Sequence, residues 1–375
     1  MARVLLLGYF GAGNFGDDAL LAGWLLRRRA WLEGHGLQVD ITVAGELDPL
    51  GGFGEGEQVR PLVSRLIPRR QVLRLKCDEY AALIAPGGSL LQDATSLRSL
   101  LYYLAVIRRF RRAKVPVYLL NQGIGPLSSL VADWLTPRYL RRVQMLSLRD
   151  EDSHGWCQRS RPLKGLPELH LACDPMLDPP FAPLGEAAES PALAEPYALL
   201  IPKRTGDLPH PGDATTEPEA LGRLVETVAR LTGLRTVLLS LHGGQDAGYC
   251  EELAGRIPEA SLFDAAGYGA RRGNAALAVI GGAQLVIGYR LHGLVTAAAR
   301  GIPALGVAYD PKVQSFCYEM GYPYCFPALV HEQTAREDLK RLWQDRREVL
   351  VAVAERRKAG LARLAAVEER FDALW

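Results

Sequence analysis

Residues 284–313 read QLVIGYRLHGLVTAAARGIPALGVAYDPKV. Gln284 to Gly288 is a short apolar run with Val and Ile, the composition of a buried strand. Leu291 to Arg300 has helical composition, Gly301 and Pro303 end it, and Pro303 to Tyr309 reads as the next strand. Strand, tight turn, helix and strand make a βαβ unit, which implies a parallel sheet. Arg290 and His292 fall where the strand gives way to the helix. That is the carboxyl edge of the sheet, where open α/β folds bind ligands. The helix N-terminus offers free N–H groups and a partial positive charge to an anion. Arg290 adds a fork of donors suited to carboxylate or phosphate, and His292 adds a side chain that titrates near neutral pH. Lys312 follows at the end of the next strand. Singly, His292 is accounted for as a helix cap and Arg290 as a surface ion pair. Three basic residues on one sheet edge favour a binding site.

Outward from this unit, strands and helices alternate along the whole chain, which predicts α/β architecture with parallel sheets. Arg3 to Tyr9, Gln38 to Ala44, Tyr80 to Ala85, Pro116 to Leu120, Met145 to Leu148 and Glu168 to Ala172 read as strands. Helices are expected up to about Glu33, over Leu97 to Ala113, before Met145 and, interrupted at Pro68, over Arg60 to Lys76. Leu50 to Glu57 holds four glycines and reads as a mobile loop. Residues 174–197 hold six prolines and several alanines, the mark of an interdomain linker. A second alternation starts at Tyr197 (YALLIPK), with a helix near 217–232, the strand RTVLLSLH and a helix near 245–256. Thr334 to Glu337 has capping-box spacing ahead of a charged helical end. The expected organisation is thus a Rossmann-like domain over 1–178, a linker over 179–196, a second Rossmann-like domain over 197–332 and a helical segment over 333–375. Two doubly wound domains of this kind are expected to face each other across a ligand cleft.

The 375 residues leave room for two domains, and 48% hydrophobic with 23% charged residues suits a soluble globular enzyme. A net charge of +2 gives no general affinity for polyanions, so no nucleic-acid partner is expected. Arginine is nevertheless clustered at Arg27 to Arg29, at Arg69 and Arg70, between Arg108 and Arg112, and at Arg138, Arg141 and Arg142. Most of these clusters end predicted helices, where they complement the dipole. The sharper reading is a basic face that touches anionic lipid. No secretion signal is expected, because Arg3 is followed by only four apolar residues before Gly8, and no run is long enough to span a bilayer. Six scattered cysteines without a CxxC pair suit reduced thiols. The expectation is a cytoplasmic protein in peripheral contact with the inner face of the membrane.

Gly11, Gly13 and Gly16 form GxGxxG directly after the first strand, in the setting of a dinucleotide fingerprint. Asp17 and Asp18 argue against that ligand, since carboxylates at the first helical turn repel a pyrophosphate. Asn14 and Asp17 on a tight glycine turn suit sugar hydroxyls, the plainer alternative being an N-cap. Asp93 follows the third strand and Gln122 the fourth, beside glycines that let backbone approach a ligand; both are candidate acceptor contacts. Arg149 ends the fifth strand in SLRDEDS on the same edge, with an ion pair to Asp150 or Asp152 as its plain role. His154–Cys157 and His170–Cys173 share HxxC spacing. The second pair lies on a strand, where that spacing points side chains to opposite faces, so a shared zinc is not expected.

With GYFGAGNFGDDALL, APGGSLLQD, NQGIGP, LSLRDEDS, CDP, GYRLHGLVTAAARGIP and AYDPK in view, the chain resembles the polysaccharide pyruvyl transferase family. Its look is that of the bacterial cell-wall branch. The resemblance implies a glycosyltransferase B-type fold and transfer of pyruvate from phosphoenolpyruvate to a sugar as a 4,6-ketal. It implies a lipid-linked acceptor containing N-acetylmannosamine, in a polysaccharide that anchors surface-layer proteins. It places the donor at Arg149 and at Arg290, Leu291 and His292, with Lys312 nearby, and the acceptor at Gly13, Asn14, Asp17, Asp93 and Gln122. The family's first loop often reads N-T-G-D-E, whereas this chain has Phe15 and Asp18 in the second and last of those positions.

Phosphoenolpyruvate carries a carboxylate and a phosphate, which two arginines and a helix N-terminus suit. Ketal formation requires a proton at C3, the role given to His292, with Arg149 and Arg290 holding the donor and stabilising the departing phosphate. The scheme requires no metal or cofactor. Two other functions fit a two-domain chain of this kind: a nucleotide-sugar glycosyltransferase, and a non-catalytic protein that binds a sugar phosphate without turnover.

Overall fold

The computed structural model describes residues 2–163, 166, 168–181, 193, 195–205, 216–327 and 333–375. They form two compact units, one of residues 1–180 with 359–375 and one of residues 181–358.

The first unit runs β1 (Ala2–Phe10), α1 (Phe15–Gly34), β2 (Leu37–Val43), α2 (Gly56–Val59), β3 (Val63–Pro68), α3 (Arg69–Val72), β4 (Ala82–Ala85), β5 (Gly88–Leu91) and α4 (Leu97–Arg112). It continues with β6 (Val117–Ile124), α5 (Leu130–Leu140), β7 (Met145–Leu148), α6 (Glu151–Arg159) and β8 (Leu169–Leu171). The strand order is β3-β2-β1-β4-β6-β7-β8, with β5 pairing β6 beside that path. All pairings are parallel, as helical crossovers require. Strand residues Leu5, Leu83, Leu119 and Leu146 pack against Leu104, Ile107 and Phe110 of α4, all buried. Each such side chain contributes about 1.5–3 kcal/mol by leaving water.

α1 starts at Asn14, whose side chain accepts from Gly16 N (3.3 Å), and Asp17 and Asp18 complement its dipole. It buries Leu20, Leu21, Trp24 and Leu25, and the chain turns out of it at Gly36. Phe371 of the C-terminal helix α13 (Arg346–Leu374) also packs in this unit, fully buried, its ring 5.3 Å from Trp31 and 4.9 Å from Tyr118.

The second unit runs β9 (Tyr197–Ile201), α7 (Glu217–Thr232), β10 (Arg235–Leu239), α8 (Ala247–Arg256), β11 (Ala260–Phe263), α9 (Arg272–Gly282), β12 (Leu285–Gly288), α10 (Leu291–Arg300), β13 (Ala304–Val307), α11 (Pro311–Met320), β14 (Tyr324–Cys325) and α12 (Gln333–Gln344). Its parallel sheet has the order β11-β10-β9-β12-β13-β14. Both sheets therefore reverse direction beside their first strand, β1 against β4 and β9 against β12. The crevice outside such a reversal is where a doubly wound sheet takes its ligand.

The sequence expectation fails over Arg60 to Lys76. Residues 63–68 form edge strand β3 rather than a helix, and Arg65 of that strand donates to the fully buried Asp40 of β2 through Nε (3.1 Å). Leu50 and Phe53 of the glycine-rich 50–57 stretch are buried, Phe53 against Phe15 at 6.0 Å. Most of the expected linker and the cap of α12, including the Thr334 side chain, lie outside the described residues.

Candidate functional site

In the second unit, Ile201 of β9 pairs with Gly288 of β12, and Tyr289 N donates to Ile201 O (3.0 Å). Lys203 and Arg290 each follow two residues later, so the two cations leave the sheet side by side at its reversal point. Arg290 is the N-cap residue of α10 and has extended backbone geometry. Its Nε donates to Asp246 Oδ2 (2.7 Å), its Nη2 to Asp246 Oδ1 (2.6 Å) and to Gln245 Oε1 (3.1 Å). Asp246 is buried at the start of α8, and its carboxylate holds Arg290 instead of capping its own helix. Burial opposes the Arg290 charge, but the paired Asp246 more than offsets it and raises the pKa.

Lys203 lies over the Tyr309 ring at 4.5 Å and makes no ion pair with a carboxylate among the described residues. Burial, then the charges of Arg290 and Lys312, lower its pKa. Buried His242, after β10, is held below its ordinary pKa by burial and by Arg290, and its Nδ1 has no hydrogen-bond partner. His292 is the second residue of α10, half-buried, and its backbone oxygen accepts from Thr296 Oγ1 (2.7 Å). Leu291, the first residue of α10, is buried. Lys312 sits at the start of α11 rather than at a strand end, with Nζ 3.0 Å from Asp310 Oδ2. The edge thus gathers Lys203, Arg290 and Lys312, an imidazole and a helix N-terminus, a combination suited to a small ligand with more than one negative charge.

In the first unit, Gly13 has φ +77°, a backbone that L side chains rarely adopt, and it turns the chain from β1 into α1. Asn14 Nδ2 donates to Asp17 Oδ2 (2.5 Å), and Gly11 N donates to Asp18 Oδ1 (2.8 Å). Asp17 Oδ1 lies 3.4 Å from where a Cβ on Gly88 would sit, which places Asp17 at the β1–β4 reversal. Asp18, by contrast, is buried inside the turn. Arg149, after β7, is itself 7% exposed. Its Nη2 donates to Ser89 Oγ (2.9 Å), its Nε to Asp150 Oδ2 (3.3 Å), and Asp174 Oδ2 lies 3.8 Å from its Nη1. A Cβ on Gly123 would come within 2.4 Å of Arg149 Nη2, so only glycine lets the guanidinium lie there.

Two expected acceptor contacts, Gln122 and Asp93, make hydrogen bonds to the protein's own backbone. Gln122 is fully buried, and its Nε2 donates to Leu120 O (2.8 Å) and Ala85 O (3.3 Å). The strand β6 continues past Leu120 to Ile124, so Gln122 lies within the strand rather than after its end. Asp93 accepts from Ser128 N (2.7 Å) and Ser129 N (2.9 Å), bonds that lower its pKa against the opposing effect of desolvation. Both of its oxygens brace the loop ahead of α5. Sequence reading also missed Lys203, His242, Asp246, Ser89 and Asp174. The motifs YALLIPK and CDP carried a signal for Lys203 and Asp174, as polar residues ending strands on the same edges. Among the described residues no group of three or more His, Cys, Asp or Glu side chains is placed to hold a metal ion.

A family model described as Polysaccharide pyruvyl transferase matches residues 14–311. The amylovoran biosynthesis protein AmsJ of Erwinia amylovora is 23% identical over 380 residues, covering 86% of each chain. Among solved structures, Anabaena HepE in complex with UDP and glucose superposes with a TM-score of 0.58 at 10% identity, covering 100% of this chain and 99% of the other. UDP-GlcNAc 2-epimerase from Neisseria meningitidis gives 0.61 at 12% identity, covering 99% and 100%. At these identities the likeness is one of fold: two Rossmann-like sheets, as in glycosyltransferases of the B type and UDP-GlcNAc 2-epimerases.

Proposed function

Because the chain belongs to the polysaccharide pyruvyl transferase family, we propose that it moves pyruvate from phosphoenolpyruvate to two hydroxyls of a sugar, forming a 4,6-ketal and releasing phosphate. Family membership makes it a transferase of polysaccharide biosynthesis. The observation that carries the finer reading is the cation cluster of Lys203, Arg290 and Lys312 around the α10 N-terminus, which suits a donor bearing both carboxylate and phosphate.

In this reading Arg290, held by Asp246 and Gln245 through Nε and Nη2, turns Nη1 to one anionic group of the donor while Lys203 and Lys312 neutralise the other. Arg149, in the first unit, serves as a further cation for the donor, as expected from sequence. His292 gives a proton to C3 of the enol, and C2 becomes oxocarbenium-like. One sugar hydroxyl adds to C2 and loses its proton. The C2–O bond to phosphate then breaks, its electron pair leaving with phosphate, and the second hydroxyl adds and loses its proton. One proton is taken up and two are released, so the surplus proton goes to phosphate or solvent. Backbone N–H groups of α10 and the cations stabilise the departing phosphate. Asn14 and Asp17 are the proposed acceptor contacts, Asp17 accepting from a sugar hydroxyl. The proposed acceptor is a lipid-linked oligosaccharide containing N-acetylmannosamine, in a cell-wall polysaccharide that anchors surface-layer proteins.

The test is an incubation of the protein with phosphoenolpyruvate and candidate lipid-linked disaccharides, following phosphate and product mass. Phosphate release that depends on acceptor, together with a product that has gained pyruvate, is the expected result. Release of a nucleotide from a UDP-sugar, with phosphoenolpyruvate ignored, would make the protein a glycosyltransferase instead. Binding of donor or acceptor without any turnover would make it a sensor.

A further inference from the structure

Helix α5 presents an unusual outer face. Its inner positions Ala132, Thr136 and Leu140 are fully buried, at the four-residue spacing of one helix side. The opposite side begins with Leu130 (90% exposed), Val131 (49%) and Trp134 (56%). Single exposed apolar residues are ordinary on protein surfaces, but three large ones adjoining on one helix face mark an interaction site. The same face continues in basic residues. Arg138 lies over the Trp134 ring at 4.0 Å and donates through Nη1 to Trp134 O (2.7 Å), and Arg141 and Arg142 are exposed just beyond. The neighbouring α4 is joined to this helix by Arg111 Nη1 donating to Tyr139 O (2.7 Å) and adds exposed Arg108 and Arg112.

We propose that the outer face of α5 is a docking surface for an anionic lipid bilayer, with Leu130, Val131 and Trp134 entering the interface and Arg138, Arg141 and Arg142 meeting the headgroups. An apolar face with an aromatic residue, continued by arginines, is the pattern of a helix lying in the membrane plane. The charge selects this occupant over an apolar protein groove, which would have to desolvate the arginines. Placement supports it. α5 follows directly from β6, and its entrance is braced by Asp93, so its apolar end lies at the carboxyl edge of the first sheet, the edge that carries Asn14 and Asp17. A bilayer under this face brings that edge next to headgroup-level ligands. The inference does not depend on the identity of the sugar.

The test is sedimentation of the full chain with sucrose-loaded vesicles of phosphatidylcholine alone or with one-third phosphatidylglycerol. Binding to the anionic vesicles, release by high salt and little binding to neutral ones are expected. Leu130→Ser, Val131→Ser and Trp134→Ser combined should lower partitioning by about tenfold or more while the unfolding temperature holds, because these side chains are already exposed. Each of Arg138→Gln, Arg141→Gln and Arg142→Gln should lower it roughly fivefold. A second readout uses Val131→Cys carrying an environment-sensitive fluorophore, the six native thiols being buried. Its emission should shift to the blue on anionic vesicles alone. Failure of the unaltered protein to bind, equal binding by the apolar variant, or a dimer in solution that the apolar variant dissolves would each overturn the proposal.

Discussion

Asp246 and Arg290 show how one carboxylate can set a site. Both Asp246 oxygens face Arg290, so the guanidinium is held by its Nε–Nη2 edge, and Nη1 is the nitrogen outside that pairing. Lys203 beside it has no such carboxylate among the described residues and is the cation with most to gain from an anion. Lys203→Met should therefore weaken phosphoenolpyruvate binding by about 1.5–3 kcal/mol, the scale of a charged hydrogen bond, as read by calorimetry. Unchanged affinity would remove Lys203 from the donor site. His292→Gln should lower turnover about a hundredfold while donor affinity changes much less, since the cations remain. Turnover within a few-fold of the unaltered protein would exclude His292 as the acid.

His242 carries a pH prediction. Burial and Arg290 hold its folded pKa below the ordinary value, so on acidification the unfolded chain binds the proton first. Stability from this group is present above about pH 6.5 and is lost as the pH falls towards the folded pKa. His154 is shifted the same way by burial and adds to the loss. Thermal unfolding followed from pH 7.5 to 5 should show a slope that His242→Gln reduces, and an unreduced slope would count against the shift. Arg290, His292 and Lys312 were legible in the sequence because one βαβ unit carries all three. Lys203, His242 and Asp246 were not, because they come from strand ends 40 or more residues away in the chain, and only the sheet order brings them to one edge.

At the scale of elements, the regular helices α4 and α7 were legible from their composition, whereas β3 was hidden. Its stretch places Leu62, Val63, Leu66 and Ile67 at helical spacing, and as an edge strand it exposes Ser64, Arg65 and Leu66. What fixes it is tertiary: pairing with β2, and Arg65 together with Tyr80 on buried Asp40 (Tyr80 OH to Oδ2, 2.7 Å). Gln122 was misplaced for a related reason, the polar run Asn121 to Gly123 reading as a loop although it continues a central strand. The end of α13 is fixed by packing as well. Phe371 is fully buried against Trp31 and Tyr118, and Arg28 Nη1 meets Asp372 Oδ1 at 2.7 Å. Phe371→Ala should cost about 3–5 kcal/mol in urea unfolding, whereas a loss under 1 kcal/mol would mean that this contact is not maintained in solution.

At the scale of the molecule, two sheets of the same Rossmann-like order each place ligand-binding chemistry at the strand reversal, and the two edges differ in charge. One presents Asn14 and Asp17, suited to hydroxyls; the other presents Lys203, Arg290 and Lys312, suited to anions. That division fits the proposed reaction of a donor with two anionic groups and a sugar acceptor, and the proposal stands or falls on which group of the donor moves. The direct measurement uses phosphoenolpyruvate labelled with oxygen-18 in the bridge between C2 and phosphorus, turned over in the presence of acceptor. Cleavage of the C2–O bond should deliver the label to the released phosphate, with pyruvate in the sugar product. A label retained in free pyruvate, with the acceptor phosphorylated, would contradict pyruvyl transfer.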